Sequence, residues 1–351
     1  MSEKQVLILL HGMGKHTADS FKKEVVDAAN NSLQRYPSYS DLKFETKVDI
    51  HSIGYDHLFE DLRQKMAESG SSLKKFIETE LGGTDLPDFI DDLVEIEAGL
   101  GSDEFIYTHV LDVIFYLTLL GEKVRLHVAG ELLKIIKKYP STTRVNILAH
   151  SLGTAVVHDA LNKLYTTGAS TKKQLNVDQH KLTSLWTIAN VSNIITLFSG
   201  LEGPYDSLVK PGAGGCVVRL NNAFHRFDPF TLKPFKRFDP DNSNNWLEPV
   251  VFQYRYKRFK TTKVSRINTH DVMGYLEDPI ICHDFLNHFF DFQPGEEEKA
   301  VGDAAFKNIQ ELAEELIDFV TEIDSVADLK SYIKMIKEFL NFVKSLDSSR
   351  G

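Results

Sequence analysis

The sequence predicts an α/β protein with a mostly parallel sheet, and two observations carry that prediction. Short apolar runs of strand type alternate along the chain with stretches whose apolar residues recur every three or four positions. One such run, Val145–Leu148, passes through a single tight turn, Ala149-His150-Ser151-Leu152-Gly153, into a pattern at helical spacing (Val156, Val157, Ala160, Leu161, Leu164). A strand that turns at once into a helix is the repeating unit of such a sheet.

The elements follow in order. Gln5–Leu10 is a buried-type strand that ends in His11-Gly12-Met13-Gly14. Phe21–Tyr36 has helical periodicity, and Phe44–Ser52 alternates enough to read as a second strand. Residues 56–102 carry amphipathic patterns broken at Leu81-Gly82-Gly83-Thr84-Asp85-Leu86-Pro87, and they read as a helical insert or cap, or else as helical padding on the sheet. Glu122–Lys138 is helical and leads to the third strand, Val145–Ala149; Thr154–Tyr165 is the helix after it. Leu182–Ala189, Cys216–Leu220 and Val250–Tyr256 supply three more strands, about six in all. Right-handed crossovers are expected between them. The segment 191–215 holds Ile194-Ile195-Thr196-Leu197-Phe198 and then Gly200, Gly203, Gly212, Gly214 and Gly215, a candidate lid loop. Two amphipathic helices, Ala304–Ile323 and Ala327–Leu346, form a C-terminal extension over 296–351 that packs on the core or makes a dimer contact. The expected division is therefore 1–295 and 296–351.

Bulk properties narrow the function. A net charge of −10 argues against nucleic acid and anionic membrane surfaces as main partners. The two cysteines, Cys216 and Cys282, are too few for a disulfide framework and form no metal cluster with histidine. Phe105–Leu120 is the most apolar stretch, but it carries His109 and Asp112 and is shorter than the ~20 residues of a membrane span. Met-Ser-Glu-Lys-Gln lacks the features of a signal peptide. A cytoplasmic protein without metal or organic cofactor is expected.

Ser151 is the chemical centre of this reading. Small residues two before and two after it let strand and helix approach closely, which presents the serine at a helix N-terminus. The plain alternative is a helix N-cap serine. The turn resembles the nucleophile elbow of the α/β-hydrolase family, with Ala149 at the first of the two glycine positions, as in several lipase groups. That resemblance implies the α/β-hydrolase fold, beginning here at the fold's third strand as in compact lipases. It also implies the chain order serine, acid, histidine.

Asp228, shortly past the fifth strand, and His270, past the sixth, satisfy that order. The segment Arg226-Phe227-Asp228-Pro229 is echoed by Arg237-Phe238-Asp239-Pro240, so Asp239 is the rival acid; His283 and His288 are the rival bases. The resemblance further implies two oxyanion donors, the backbone N–H of Leu152 and that of Met13 in the His-Gly loop. His150 falls where lipases often carry histidine and is expected to support or pack against the site. The elbow together with Asn222-Ala223-Phe224-His225-Arg226-Phe227-Asp228-Pro229 also resembles the intracellular phospholipase A1-type hydrolases of the DDHD group. The activity these resemblances imply is hydrolysis of carboxylic esters, small or lipid, through an acyl-enzyme. Thioester hydrolysis, acyl transfer and non-catalytic lipid or partner binding are the alternatives.

Overall fold

In β1 (Gln5–Leu10) all six residues are buried, with Val6, Ile8 and Leu10 in one apolar cluster and Leu7 and Leu9 in another. A strand covered on both faces needs no polar side, which explains its uninterrupted apolar run. The structure is a computed structural model. It describes residues 5–12, 17–69, 75, 112, 115–166, 175–191, 207–212, 214–231 and 255–309, with scattered positions between 313 and 345.

Six described strands form one sheet: β1, β2 (Val48–Ile53), β3 (Val145–His150), β4 (Leu182–Ile188), β5 (Val217–His225) and β6 (Tyr256–Thr261). Their spatial order is β2-β1-β3-β4-β5-β6, and every neighbouring pair is parallel. Helices cover both faces. On one lie α1 (Ala18–Gln34), α6 (Val272–Glu277) and α7 (Pro279–Phe289), which pack Phe21, Val25, Val272, Tyr275 and Phe285 against the sheet. On the other lie α4 (Gly121–Lys138) and α5 (Leu152–Thr166), contributing Val124, Leu132, Val157 and Leu161. Other described α-helices include α2 (Phe44–Lys47), α3 (Asp56–Ser69) and α8 (Glu296–Ala304).

The chain steps from β1 outward to β2 and then returns to the far side of β1 as β3. The loops that follow β1 and β3 therefore leave in opposite directions. The strand order thus reverses at the carboxyl ends of these two strands, the position at which parallel α/β sheets bind ligands.

Four sequence expectations are adjusted. The fifth strand is Val217–His225 rather than Cys216–Leu220, because the polar Asn221 and Asn222 that hid its second half are buried between neighbouring strands. Phe44–Lys47, expected in the second strand, is a helical turn. Its first N–H donates to Asn30 Oδ1 at 2.8 Å, and the Phe44 ring is buried against Phe285 and Phe289. The sixth strand is described over Tyr256–Thr261, where Val250–Tyr256 was expected, and residues 250–254 lie outside the described residues. An edge strand with exposed Lys257 and Lys260 has a polar sequence, so the more apolar residues before it drew the assignment. In the C-terminal segment α8 ends at Ala304, where a helix was expected to begin, and residues 307–309 are not helical. Of the expected insert, α3 is described and the rest of 56–102 lies outside the described residues, apart from residue 75. The same holds for most of 191–215 and of Ala327–Leu346.

Candidate active site

Ser151 sits between the end of β3 and the start of α5 with φ of 55°, in the left-handed region that an L-residue enters at a cost of about 1–2 kcal/mol. The surroundings hold it there. Its N–H donates to the Ile188 carbonyl on β4 at 3.1 Å, and its carbonyl accepts from Thr154 N at 2.9 Å and Thr154 Oγ1 at 2.7 Å. Close approach dictates the flanking residues. A Cβ on Gly12 would stand 2.5 Å from the Ser151 Cβ, and one on Gly153 would press into the His11 carbonyl oxygen. Ala149 is fully buried, and its methyl belongs to the apolar cluster under α5.

The turn after β6 brings His270 to this serine. Asn268 Oδ1 accepts from His270 N at 3.1 Å, and Thr269 Oγ1 donates to the Phe227 carbonyl at 2.7 Å. His150 Nε2 donates to the His270 carbonyl at 2.8 Å, which ties the elbow to the loop. His270 Nε2 lies 2.8 Å from Ser151 Oγ, and its Nδ1 lies 2.8 Å from Asp228 Oδ2. A carboxylate only accepts, so Nδ1 carries the proton and Nε2 is left to accept from the serine hydroxyl. The Phe230 ring tilts over the imidazole with centroids 4.4 Å apart.

Asp228 is 0% exposed and fully bonded. Oδ1 accepts from Phe230 N at 3.0 Å, and Oδ2 accepts from His270 and from the Tyr275 hydroxyl, the latter at 2.6 Å. The structure thus brings Ser151, His270 and Asp228 into one hydrogen-bonded line. Asp239 lies outside the described residues. His283 instead pairs with Asp303 at 2.7 Å, and His288 bonds Asn146 Oδ1 at 2.7 Å within a buried network.

Of the two expected oxyanion donors, Leu152 opens α5 and is fully buried. Its N–H is one of the helix-start donors with no carbonyl a turn before it. Met13 lies outside the described residues, but the two residues before it are held firmly. His11 Nδ1 donates to the Gly12 carbonyl at 2.8 Å, Tyr55 donates to the His11 carbonyl at 2.6 Å, and the two rings stack at 4.8 Å.

Tyr275 was missed by the sequence reasoning. It sits in an apolar helical pattern and reads as core, and its contact with Asp228 becomes visible only in three dimensions. Neither cysteine competes for the role of nucleophile. Burial pushes the Cys216 thiol up to about 12 and that of Cys282 up to about 11, away from the reactive thiolate. Among the described residues no group of His, Cys, Asp and Glu is placed to hold a metal ion, and no helix is long and apolar enough to cross a membrane.

No family model and no curated protein matches the chain. Among solved structures, an uncharacterized protein from Pseudomonas aeruginosa is similar over 94% of this chain and 52% of that one, with 11% identity and a TM-score of 0.34. This chain spans about half the length of that protein.

Proposed function

We propose that the chain is a serine hydrolase of α/β-hydrolase type that cleaves carboxylic esters. The supporting observation is the pair of 2.8 Å bonds that joins Ser151 to His270 and His270 to a buried Asp228. In this reading His270 Nε2 takes the proton from Ser151 Oγ as the oxygen attacks the ester carbonyl. Asp228 keeps the imidazole in the required tautomer and stabilises its charged form. The tetrahedral oxyanion is received by the N–H groups of Leu152 and Met13. The imidazolium returns its proton to the departing alcohol, leaving an acyl group on Ser151. Water, deprotonated by His270, then attacks that acyl group and releases the acid.

Two further features favour this reading over an N-cap serine. A cap residue has extended backbone, whereas Ser151 has φ of 55°. The serine also stands at the carboxyl end of β3, where the strand order reverses. The substrate is a small or lipid ester, in line with the resemblance to phospholipase A1-type hydrolases. Two free, buried thiols suit a reducing cytoplasm.

Hydrolysis of p-nitrophenyl esters of increasing acyl length tests the proposal, comparing wild type with Ser151→Ala, Asp228→Asn and His270→Ala. Turnover by wild type and its loss in Ser151→Ala is the expected result. Turnover unaffected by Ser151→Ala contradicts it.

A further inference from the structure

Asp228 Oδ2 accepts two hydrogen bonds, one from His270 Nδ1 at 2.8 Å and one from the Tyr275 hydroxyl at 2.6 Å. The direction of the second is settled by its surroundings. The His225 backbone N–H donates to the Tyr275 oxygen at 2.9 Å, so the phenolic proton is left for the carboxylate. Burial first, and Asp228 second, hold this phenol well above its ordinary range, so it stays protonated. The ring is 1% exposed on α6, wedged over the end of β5. Phe230 N occupies the other carboxylate oxygen, so Asp228 cannot rotate to offer Oδ1 to the histidine instead.

We infer that Tyr275 is a positioning residue of the relay, a clamp that orients Asp228 and moderates its basicity toward His270. The inference rests on the hydrolase reading of the site. Two donors on one oxygen share its electron density, so the bond to His270 Nδ1 is weaker than it would be alone. Removing the phenol makes Asp228 a stronger partner for the imidazolium, and the basicity of His270 rises. It also frees the carboxylate to tilt. Other titratable groups beside the relay are His150, from β3, His225, from β5, and Asp271, which caps α6 next to His270, faces Arg266 and is raised above its ordinary range by burial. The two histidines face backbone carbonyls, those of His270 and Lys263 respectively, and burial holds the His225 ring below its ordinary range.

The test is the pH dependence of p-nitrophenyl ester hydrolysis by the full chain. For Tyr275→Phe, kcat falls about tenfold with KM unchanged, the loss expected of one hydrogen bond to a charged group. The acid limb of the profile moves up by roughly half a unit or more. Replacing Tyr275 by 3-fluorotyrosine keeps the shape and strengthens the donor, and the acid limb moves down. Ser151→Ala accompanies both as the inactive reference. A fluorotyrosine protein whose profile superimposes on wild type overturns the clamp, even where Tyr275→Phe fails to fold. So does a folded Tyr275→Phe protein with wild-type kcat and profile; Ser151-dependent turnover then leaves the hydrolase reading standing. A wild type that turns over no ester overturns that reading and the clamp with it.

Discussion

A methyl group at Gly12 would reach within 2.5 Å of the Ser151 Cβ, with the Oγ 3.0 Å away. Backbone on one side and a strained serine on the other leave little room for adjustment. Gly12→Ala should therefore lower kcat/KM about 100-fold or more by displacing the hydroxyl, a loss visible in steady-state kinetics. It should also cost about 1–3 kcal/mol of stability in denaturant unfolding. Asp228→Asn leaves the shape but gives the imidazole the wrong tautomer, and kcat should fall about 10⁴-fold. At this scale the sequence was most informative where chemistry is local. The small-residue spacing round Ser151 is a five-residue signal. Asp228 was preferred over Asp239 for its nearness to a strand expected to end at Leu220; the strand runs on to His225, which leaves Asp228 three residues past its end. Tyr275 left no such signal, because its partner lies 47 residues away in the chain.

Among the elements, β3, β4 and α7 are joined by a buried polar seam. Asn146 Oδ1 accepts from Ser184 Oγ at 2.8 Å and from His288 Nε2 at 2.7 Å, and Gln5 Nε2 donates to the His288 and Phe289 carbonyls at 3.1 and 3.0 Å. Burial first, then Arg144 and Arg219, lower His288 from 6.5 to about 4. The unfolded chain thus binds a proton near pH 6.5 that the folded chain refuses until about pH 4. Stability from this group is complete above the upper value and is lost as pH falls through the window. The loss reaches about 3 kcal/mol, the order given by the linkage of that shift to folding. Urea unfolding between pH 7 and pH 4 should show a steeper decline for wild type than for His288→Gln; equal declines contradict the assignment. The edges of the elements were less legible than their centres. Phe44 was read as strand because alternation alone does not report that its ring is claimed by α7.

For the whole molecule, the C-terminal segment was expected as an extension that packs on the core or mediates assembly. Asp303 on α8 accepts from the Tyr36 hydroxyl at 2.7 Å, and a side chain at Gly302 would collide with the Tyr36 ring. Leu316 and Phe339 are 0% and 1% exposed within the cluster that packs α4 and α5 on the sheet. Deletion of 296–351 should therefore abolish cooperative unfolding followed by circular dichroism; a truncated chain that unfolds cooperatively at the wild-type midpoint contradicts this. The parallel sheet was legible because buried strands advertise themselves as apolar runs. The strand reversal beside Ser151 was not, since spatial order has no local sequence signature. The most direct test of the account is labelling of the folded full-length chain by a fluorophosphonate probe, with the modified residue located by mass spectrometry. The account predicts a single adduct on Ser151, absent in Ser151→Ala and strongly slowed in His270→Ala. A folded wild-type chain that takes up no probe, or takes it up equally well in Ser151→Ala, contradicts it.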